Sequence, residues 1–434
     1  MKSLLLKNCS ILAGEGAAGF RHVKDGYLGI RGDTIAYIGT DKPEGFENEK
    51  DMGGALLCPG LINGHTHAAM TLLRGLGCGL PLDRWLHEAI FPVEARMTRE
   101  DYRAGSALAQ MEMLATGAIA YSDMYDMPIE TVKLCETSGM KANLCRPLLS
   151  FDPNERAKDS WRLQESLEFF DGCHMAQNGR IRVDFSIHAE YTCYGEIARE
   201  YAALGVERGA RMHLHLSETK KEHRDCKEKY GKTPAKWFND LGVFCMPTAA
   251  AHCVAIEEED MAILSECGVS VVHNPSSNMK LGSGFAPIVQ LLERGINVGL
   301  GTDGAASNDN LNMVEEIHLA ALIHNGILEA PTAMRPEQAL NMATRNGARL
   351  QGRDDTGVLE VGKKADIAAF STDAPHLIPS FDPVSTLVYS AQGGDVRMTM
   401  VDGEILYENG EYKTIDAERV RYDVQAALKR LYNR

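Results

Sequence analysis

The stretch Asn63–Gly75 reads NGHTHAAMTLLRG and follows the apolar run ALLCPGLI at 55–62. Two imidazoles, His65 and His67, flank one threonine at the end of what the pattern predicts to be a buried strand. In a strand, residues two apart point to the same side, so both rings aim at one point. That geometry suits bidentate metal binding, but an isolated H-x-H also occurs as two hydrogen-bonded core histidines. Spacing alone does not separate the two, because His213 and His215 repeat it in HLHLSE. The choice rests on what else reaches the same place.

Downstream of this stretch, short apolar runs alternate with helical patterns. The runs are AIAYSDMY (118–125), KANLCRPLL (141–149), IRVDFSIHA (181–189), ARMHLHLSE (210–218), TAAAHCV (248–254), VSVVHNP (269–275) and INVGLGTDG (296–304). One helix is predicted from Arg99, with Thr98 as its N-cap, Asp101 three residues on, and Gly117 as its stop. Together with the run at 58–65 there are eight strand candidates between 58 and 352. Repeated strand–helix alternation predicts a parallel sheet, and eight repeats suit a (β/α)8 barrel; a doubly wound open sheet is the competing architecture. Both ends of the chain read differently. YLGIRGDTIAYIG turns at Gly32-Asp33, and RMTMVDGEILYENGEY turns at Asp402-Gly403 and Asn409-Gly410, which are hairpin signals. The expected organisation is therefore a small β-sandwich domain built from 1–57 and 353–434, beside a catalytic barrel spanning 58–352.

Composition restricts the function classes. The chain has 434 residues, 44% hydrophobic and 24% charged, with a net charge of -15. An acidic chain without a basic block is a poor partner for a nucleic-acid polymer. Eleven cysteines, an odd number without any C-x-x-C, read as buried apolar residues in a reducing compartment. The opening MKSLLLKNCS has too short an apolar run for a signal peptide, and no run reaches the length of a membrane span. The expected location is the cytoplasm.

Chemically useful side chains recur at the carboxyl ends of the apolar runs: His65, His67, Arg146, His188, His215, His252, His273 and Asp303, with Glu218 just beyond. A barrel enzyme builds its site at that face. Scattering 14 histidines at random would not give them most of the strand ends. Three histidines and Asp303 would hold one divalent ion and leave room for water. Zinc suits imidazole and carboxylate ligands, and iron(II) and manganese are possible. Glu218 could take a proton from a water whose pKa the metal lowers, and His252 could orient that water or stabilise the developing alkoxide. Taken singly, Glu218 could equally be a helix-capping carboxylate and His252 a core histidine. GLGTDG matches G-x-G-x-x-G but follows the last strand, and H-A-E at His188 lacks the P-C-x-x-C of a cytidine-deaminase zinc site.

In this order PGLINGHTHAAMTLLRG, HLHLSET, AAHCV, HNPSSNMKLGSGFAPI and LGTDGAASN resemble the amidohydrolase superfamily. HTHAAMTLLRG followed by RWLHEAIFPVEARMT narrows the resemblance to its 5'-methylthioadenosine/S-adenosylhomocysteine deaminases. The resemblance implies one metal held by His65, His67, His215 and Asp303, with His213 left out. It implies that Glu218 protonates the purine N1, that Asp303 moves the water and amine protons, and that His252 orients the nucleophile. It assigns Glu94 to the ribose hydroxyls, His188 to purine N3, Arg146 and Arg162 to a carboxylate on the 5' substituent, and Trp85 to packing near the ligand. The implied partner is a small nucleoside; superfamily members are often homo-oligomers. The segment PLLSFDPNERAKDSW between Arg146 and Arg162, with Arg156 and Lys158, departs from the pattern where the 5' group would sit. Guanine or cytosine deaminases and triazine chlorohydrolases are the alternative within the superfamily. A two-metal cyclic amidase would need a lysine at the end of the fourth strand, where this chain has His188. A non-catalytic barrel would be expected to have lost a ligand.

Overall fold

A computed structural model describes residues 3–16 and 18–433. Eight strand positions succeed one another in parallel: Leu61–Thr66, Ala118–Met124, Lys141–Cys145, Ile181–Val183 continued by Phe185–Ile187, Met212–Leu216, Thr248–His252, Ser270–His273 and Val298–Leu300. Each is paired with its neighbours in sequence. Their residues are almost all buried, as expected for parallel strands covered on both faces. The last strand returns to the first: the Asp303 N–H donates to the His65 carbonyl at 2.9 Å. Two glycines allow this approach. A Cβ on Gly64 would lie 2.9 Å from the Leu300 carbonyl oxygen, and one on Gly301 would lie 2.8 Å from the His65 nitrogen. Gly301, which belongs to the misleading G-x-G-x-x-G, is therefore a closure residue of the barrel.

Two strand readings shift. The run expected to enter the barrel at Cys58 divides at Gly60. Leu56–Pro59 runs antiparallel to Ile367–Phe370 in the terminal sheet, and the barrel strand starts at Leu61. A Cβ on Gly60 would lie 2.4 Å from Ile119 Cγ2, so the crossing point takes no side chain. The run IRVDFSIHA is broken at Asp184. Its first half pairs with the third strand and its second half with the fifth. At the break the Asp184 carboxylate accepts from the Asn143 amide at 3.0 and 3.1 Å.

Both termini build one nine-stranded sheet, with Leu56–Pro59 of the N-terminal part beside Ile367–Phe370 of the C-terminal part. The sheet folds over its own core of Leu6, Ile11, Ile30, Ile35, Met398 and Met400. Its far ends touch, since a Cβ on Gly403 would meet the Gly32 carbonyl and Ile30. The hairpin turns fall where expected, with positive φ at Asp402, Gly403, Asn409 and Gly410. The chain ends in a helix, Ala417–Tyr432, laid against the first long barrel helix, Arg99–Ala115. At the start of the latter helix the Asp101 carboxylate accepts from the Thr98 N–H at 2.6 Å and from the Thr98 hydroxyl at 2.8 Å. Arg430 of the terminal helix pairs with the same Asp101. No helix among the described residues is long and apolar enough to cross a membrane, and the cysteines are all free.

Lys141, at the buried start of the third barrel strand, joins the two parts. Its ammonium lies 2.8 Å from Asp402 and also pairs with Asp366, both in the terminal sheet region, and Arg180 shares Asp402 at 2.7 Å. Removing the cation would leave two carboxylates with little water around them. Lys141→Met is therefore expected to destabilise the fold by about 3–5 kcal/mol, seen as a lower urea midpoint at unchanged slope. A loss of about 0.5 kcal/mol, typical of surface substitutions, would contradict this role.

Candidate active site

Four side chains from the first, fifth and eighth strands meet at the carboxyl-terminal mouth of the barrel. The Asp303 Oδ1 lies 3.5 Å from the His65 Nε2 and 3.3 Å from the His67 Nε2, and the His67 and His215 Nε2 atoms are 3.4 Å apart. The hydrogen bonds behind these rings fix which nitrogen carries the proton. His67 Nδ1 donates to the Met124 carbonyl at 2.6 Å, and His215 Nδ1 donates to the His188 carbonyl at 2.8 Å. A carbonyl only accepts, so in the neutral rings both Nε2 atoms present lone pairs. Two lone pairs facing each other at this distance need a cation between them. His65 Nε2 is buried without a hydrogen-bond partner and faces the same point. The donor set therefore fits a divalent ion, and neutral imidazoles are what such an ion requires. Burial lowers His65 to about 4 and drives His215 well below the usual imidazole range.

His213 stands one layer deeper. Being two residues before His215, it points the same way but lower in the barrel. Its Nε2 lies 2.9 Å from the His65 Nδ1. It thus orients a ring of the site from behind. The second H-x-H is real chemistry, with one histidine at the site and one supporting it.

Asp303 is gripped from several sides. The Ser277 hydroxyl donates to its Oδ2 at 2.7 Å, the Gly304 N–H donates to its Oδ1 at 2.8 Å, and its backbone is left-handed at φ 61°. His252 also has positive φ, 74°, where the sixth strand ends. Its Nδ1 bonds the Asn278 side-chain oxygen at 2.9 Å, which leaves Nε2 facing inward, 3.9 Å from Glu218 Oε2. His65, His215 and His252 also form a set compact enough to hold an ion, so His252 borders the same nest. Ser277 and Asn278 escaped the residue-level reading, although both lie within the quoted HNPSSNMK.

Glu218 is buried, and burial, followed by the nearby Asp303 and Glu222 charges, raises its carboxyl well above the usual range. Its loop is held from below: Glu222 Oε2 accepts the Glu218 N–H at 2.7 Å and the Thr219 N–H at 3.3 Å. Glu190 lies against Glu222, and burial, then that neighbour, drives Glu190 well above the carboxylate range. Burial raises Glu222 as well. In the sequence Glu190 stood out only as the end of H-A-E and Glu222 not at all, because nothing local reveals that the two carboxyls meet.

The remaining candidates surround the mouth. Glu94 accepts a hydrogen bond from the Tyr125 hydroxyl and is pushed up to about 7, chiefly by burial. His188 packs against His215 with ring centres 4.8 Å apart, its Nδ1 3.1 Å from the Thr192 hydroxyl. Arg146 and Arg162 both reach Asp126, at 2.9 and 3.4 Å. Arg162, across the departing loop, is thus brought beside Arg146. Trp85 is buried among Met70, Leu73, Ile90 and Val93, and its indole N–H donates to the Leu76 carbonyl at 3.0 Å. It packs beneath the loop after the first strand.

A profile of the amidohydrolase family matches residues 56–406. Over their full lengths, the chain is 42% identical to a 5-methylthioadenosine/S-adenosylhomocysteine deaminase of Thermoanaerobacter pseudethanolicus. It is 41% identical to a 5'-deoxyadenosine deaminase of Methanosarcina mazei, covering 100% of this chain and 99% of that one. Its fold superposes on the crystal structure of an adenosine deaminase from Xanthomonas campestris with bound zinc, at a TM-score of 0.93 and 28% identity, covering 100% of this chain and 99% of that one.

The contact behind His65 carries a prediction. His213→Leu should weaken retention of a divalent ion by about 10–100-fold, measured by competition with a chromophoric chelator, while far-ultraviolet circular dichroism is unchanged. Undiminished affinity would show that the His213–His65 contact does not tune the site.

Proposed function

The chain belongs to the amidohydrolase family, and from that premise we propose that its barrel mouth hydrolytically removes the C6 amino group of adenosine-type nucleosides. The products are the inosine analogue and ammonia. The observation that carries this reading is the meeting of a three-histidine, one-aspartate nest with a buried Glu218, whose carboxyl burial raises well above the usual range. The relatives named above, acting on adenosine-type nucleosides, support the substrate class.

His65, His67, His215 and Asp303 are the residues that would hold the ion, and zinc is the ion we expect. When bound, such an ion supplies Lewis acidity and lowers the pKa of water. The protein's own groups do the rest. The Glu218 carboxyl donates its proton to the purine N1, which draws electrons from C6 and opens that carbon to water. Asp303 takes one proton from the attacking water as the C6–O bond forms. It returns that proton to the amine as the C6–N bond breaks. The remaining hydroxyl proton goes back to Glu218 as the carbonyl forms, so the acid is restored. His252, its Nδ1 committed to Asn278, keeps Nε2 toward the nest to orient the water. The deep burial of these groups excludes bulk solvent and strengthens each charge interaction.

His188 is suited to purine N3 and Glu94 to the ribose. A carboxylate accepts from two hydroxyls at once, which suits the 2' and 3' positions. Arg146 and Arg162 lie in line for a carboxylate on the 5' substituent, where the planar guanidinium fork is the appropriate partner.

Ammonia release and the ultraviolet change from adenine to hypoxanthine should appear with at least one of adenosine, 5'-deoxyadenosine, 5'-methylthioadenosine and S-adenosylhomocysteine. Glu218→Gln should lose about 10²–10⁴-fold in kcat. Absence of turnover on all four would overturn the reading. Glu94 gives an independent check by pH. Because its pKa is raised to about 7, KM should rise as pH falls through that value and the carboxylate becomes neutral. Glu94→Gln should raise KM about tenfold, the size of one charged hydrogen bond, and abolish the pH dependence. A 2',3'-dideoxy substrate should be insensitive to both changes; equal sensitivity would remove Glu94 from the ribose site.

A further inference from the structure

Asp126 follows the second barrel strand, one residue after the tyrosine that holds Glu94. It is the carboxylate on which two guanidinium groups converge. Arg146 Nη1 lies 2.9 Å and Arg162 Nη1 3.4 Å from the same Oδ1. Arg146 Nε is also 2.7 Å from Glu165 Oε2. Both guanidinium groups sit over the Trp161 ring, at 5.3 and 4.8 Å from its centre. The group therefore carries two positive and two negative charges.

That balance is informative. A pocket meant for a bare carboxylate is best served by uncompensated guanidinium, yet here the protein supplies its own carboxylate between them. The members differ in accessibility. The Arg146 side chain is 7% exposed, whereas Asp126 is 37% exposed and Arg162 24%. Arg146 is a fixed anchor, and the Asp126–Arg162 contact is the longer and wetter one. A ligand that brings one charge of each sign on adjacent atoms can enter this contact without leaving any charge unpaired. Its anion replaces Asp126 on Arg162, and its cation takes the face of Asp126 that is released. A ligand with only an anion would set its charge against Asp126. Asp126 also lies near enough to Glu94 for its charge to act on that carboxyl, so the cluster continues from the ribose end of the pocket.

We propose that Asp126 is a specificity-determining residue that receives the α-ammonium of an amino-acid tail on the nucleoside 5' carbon, while Arg162 and Arg146 take its carboxylate. The substrate class so selected is an adenosine bearing a zwitterionic tail. The proposal rests on the deaminase reading and on the direction in which that reading lays the nucleoside.

The test compares S-adenosylhomocysteine with the analogue that keeps the thioether and carboxylate but lacks the α-amine, using 5'-methylthioadenosine as a third substrate. Wild-type protein should show the higher kcat/KM on S-adenosylhomocysteine than on the amine-less analogue. Asp126→Asn should lower that ratio about tenfold, the scale of one charge-assisted hydrogen bond, with much of the change in KM. Equal handling of the two by the wild type, or an unchanged ratio in the variant, would overturn the proposal. So would a gain on both in the variant, since Asp126 would then only be obstructing the arginines. The wild-type comparison decides the matter even if the variant folds poorly. Absence of turnover on all three substrates by the wild type would overturn the deaminase reading and the proposal with it, an outcome distinct from turnover without discrimination.

Discussion

The hydrogen bond from the Asp303 N–H to the His65 carbonyl joins the first barrel strand to the segment leaving the last. It closes the ring and, in the same contact, brings the Asp303 carboxylate to the two histidines of the opening motif. Fold and site are therefore one constraint. Gly64 and Gly301 serve it by removing side chains from the place where the strands pass. A substituent there would push the strands apart and separate residues that lie more than two hundred positions apart in sequence.

Once assembled, the site is electrostatically incomplete as a set of protein atoms. Backbone carbonyls at Met124 and His188 dictate the tautomers of His67 and His215, so their inward nitrogens cannot satisfy one another. Burial lowers the His65 and His215 imidazoles and raises the Glu218 carboxyl, so each is pushed toward its neutral form. The same burial makes supporting contacts matter. His213, Ser277, Asn278 and Glu222 each fix one group of the site from behind, and none needs to touch a substrate.

The sequence is most informative where function repeats the strand period. His65, His67, His215 and Asp303 are legible because each ends an apolar run and barrel strands aim their ends at one face. The cap of the helix at Arg99 is legible because Thr98 and Asp101 are close in sequence. What is hidden depends on distance in sequence. Nothing around Glu190 or Glu222 reveals that they meet, nothing around Asp126 announces two arginines, and the role of His213 depends on which layer of the barrel it occupies. The break at Asp184 is not evident in the apolar run, since the partner of its carboxylate, Asn143, lies on another strand. The terminal helix Ala417–Tyr432 follows hairpins that made the whole C-terminal part look like sheet.

If one ion is held by three imidazoles and one carboxylate, anomalous diffraction at the zinc edge from crystals of the metal-loaded protein will locate it. A single peak is expected at about 2.0–2.2 Å from the Nε2 atoms of His65, His67 and His215 and an oxygen of Asp303. A peak bound by His65, His215 and His252 without His67 and Asp303, or two peaks in the barrel mouth, would contradict it.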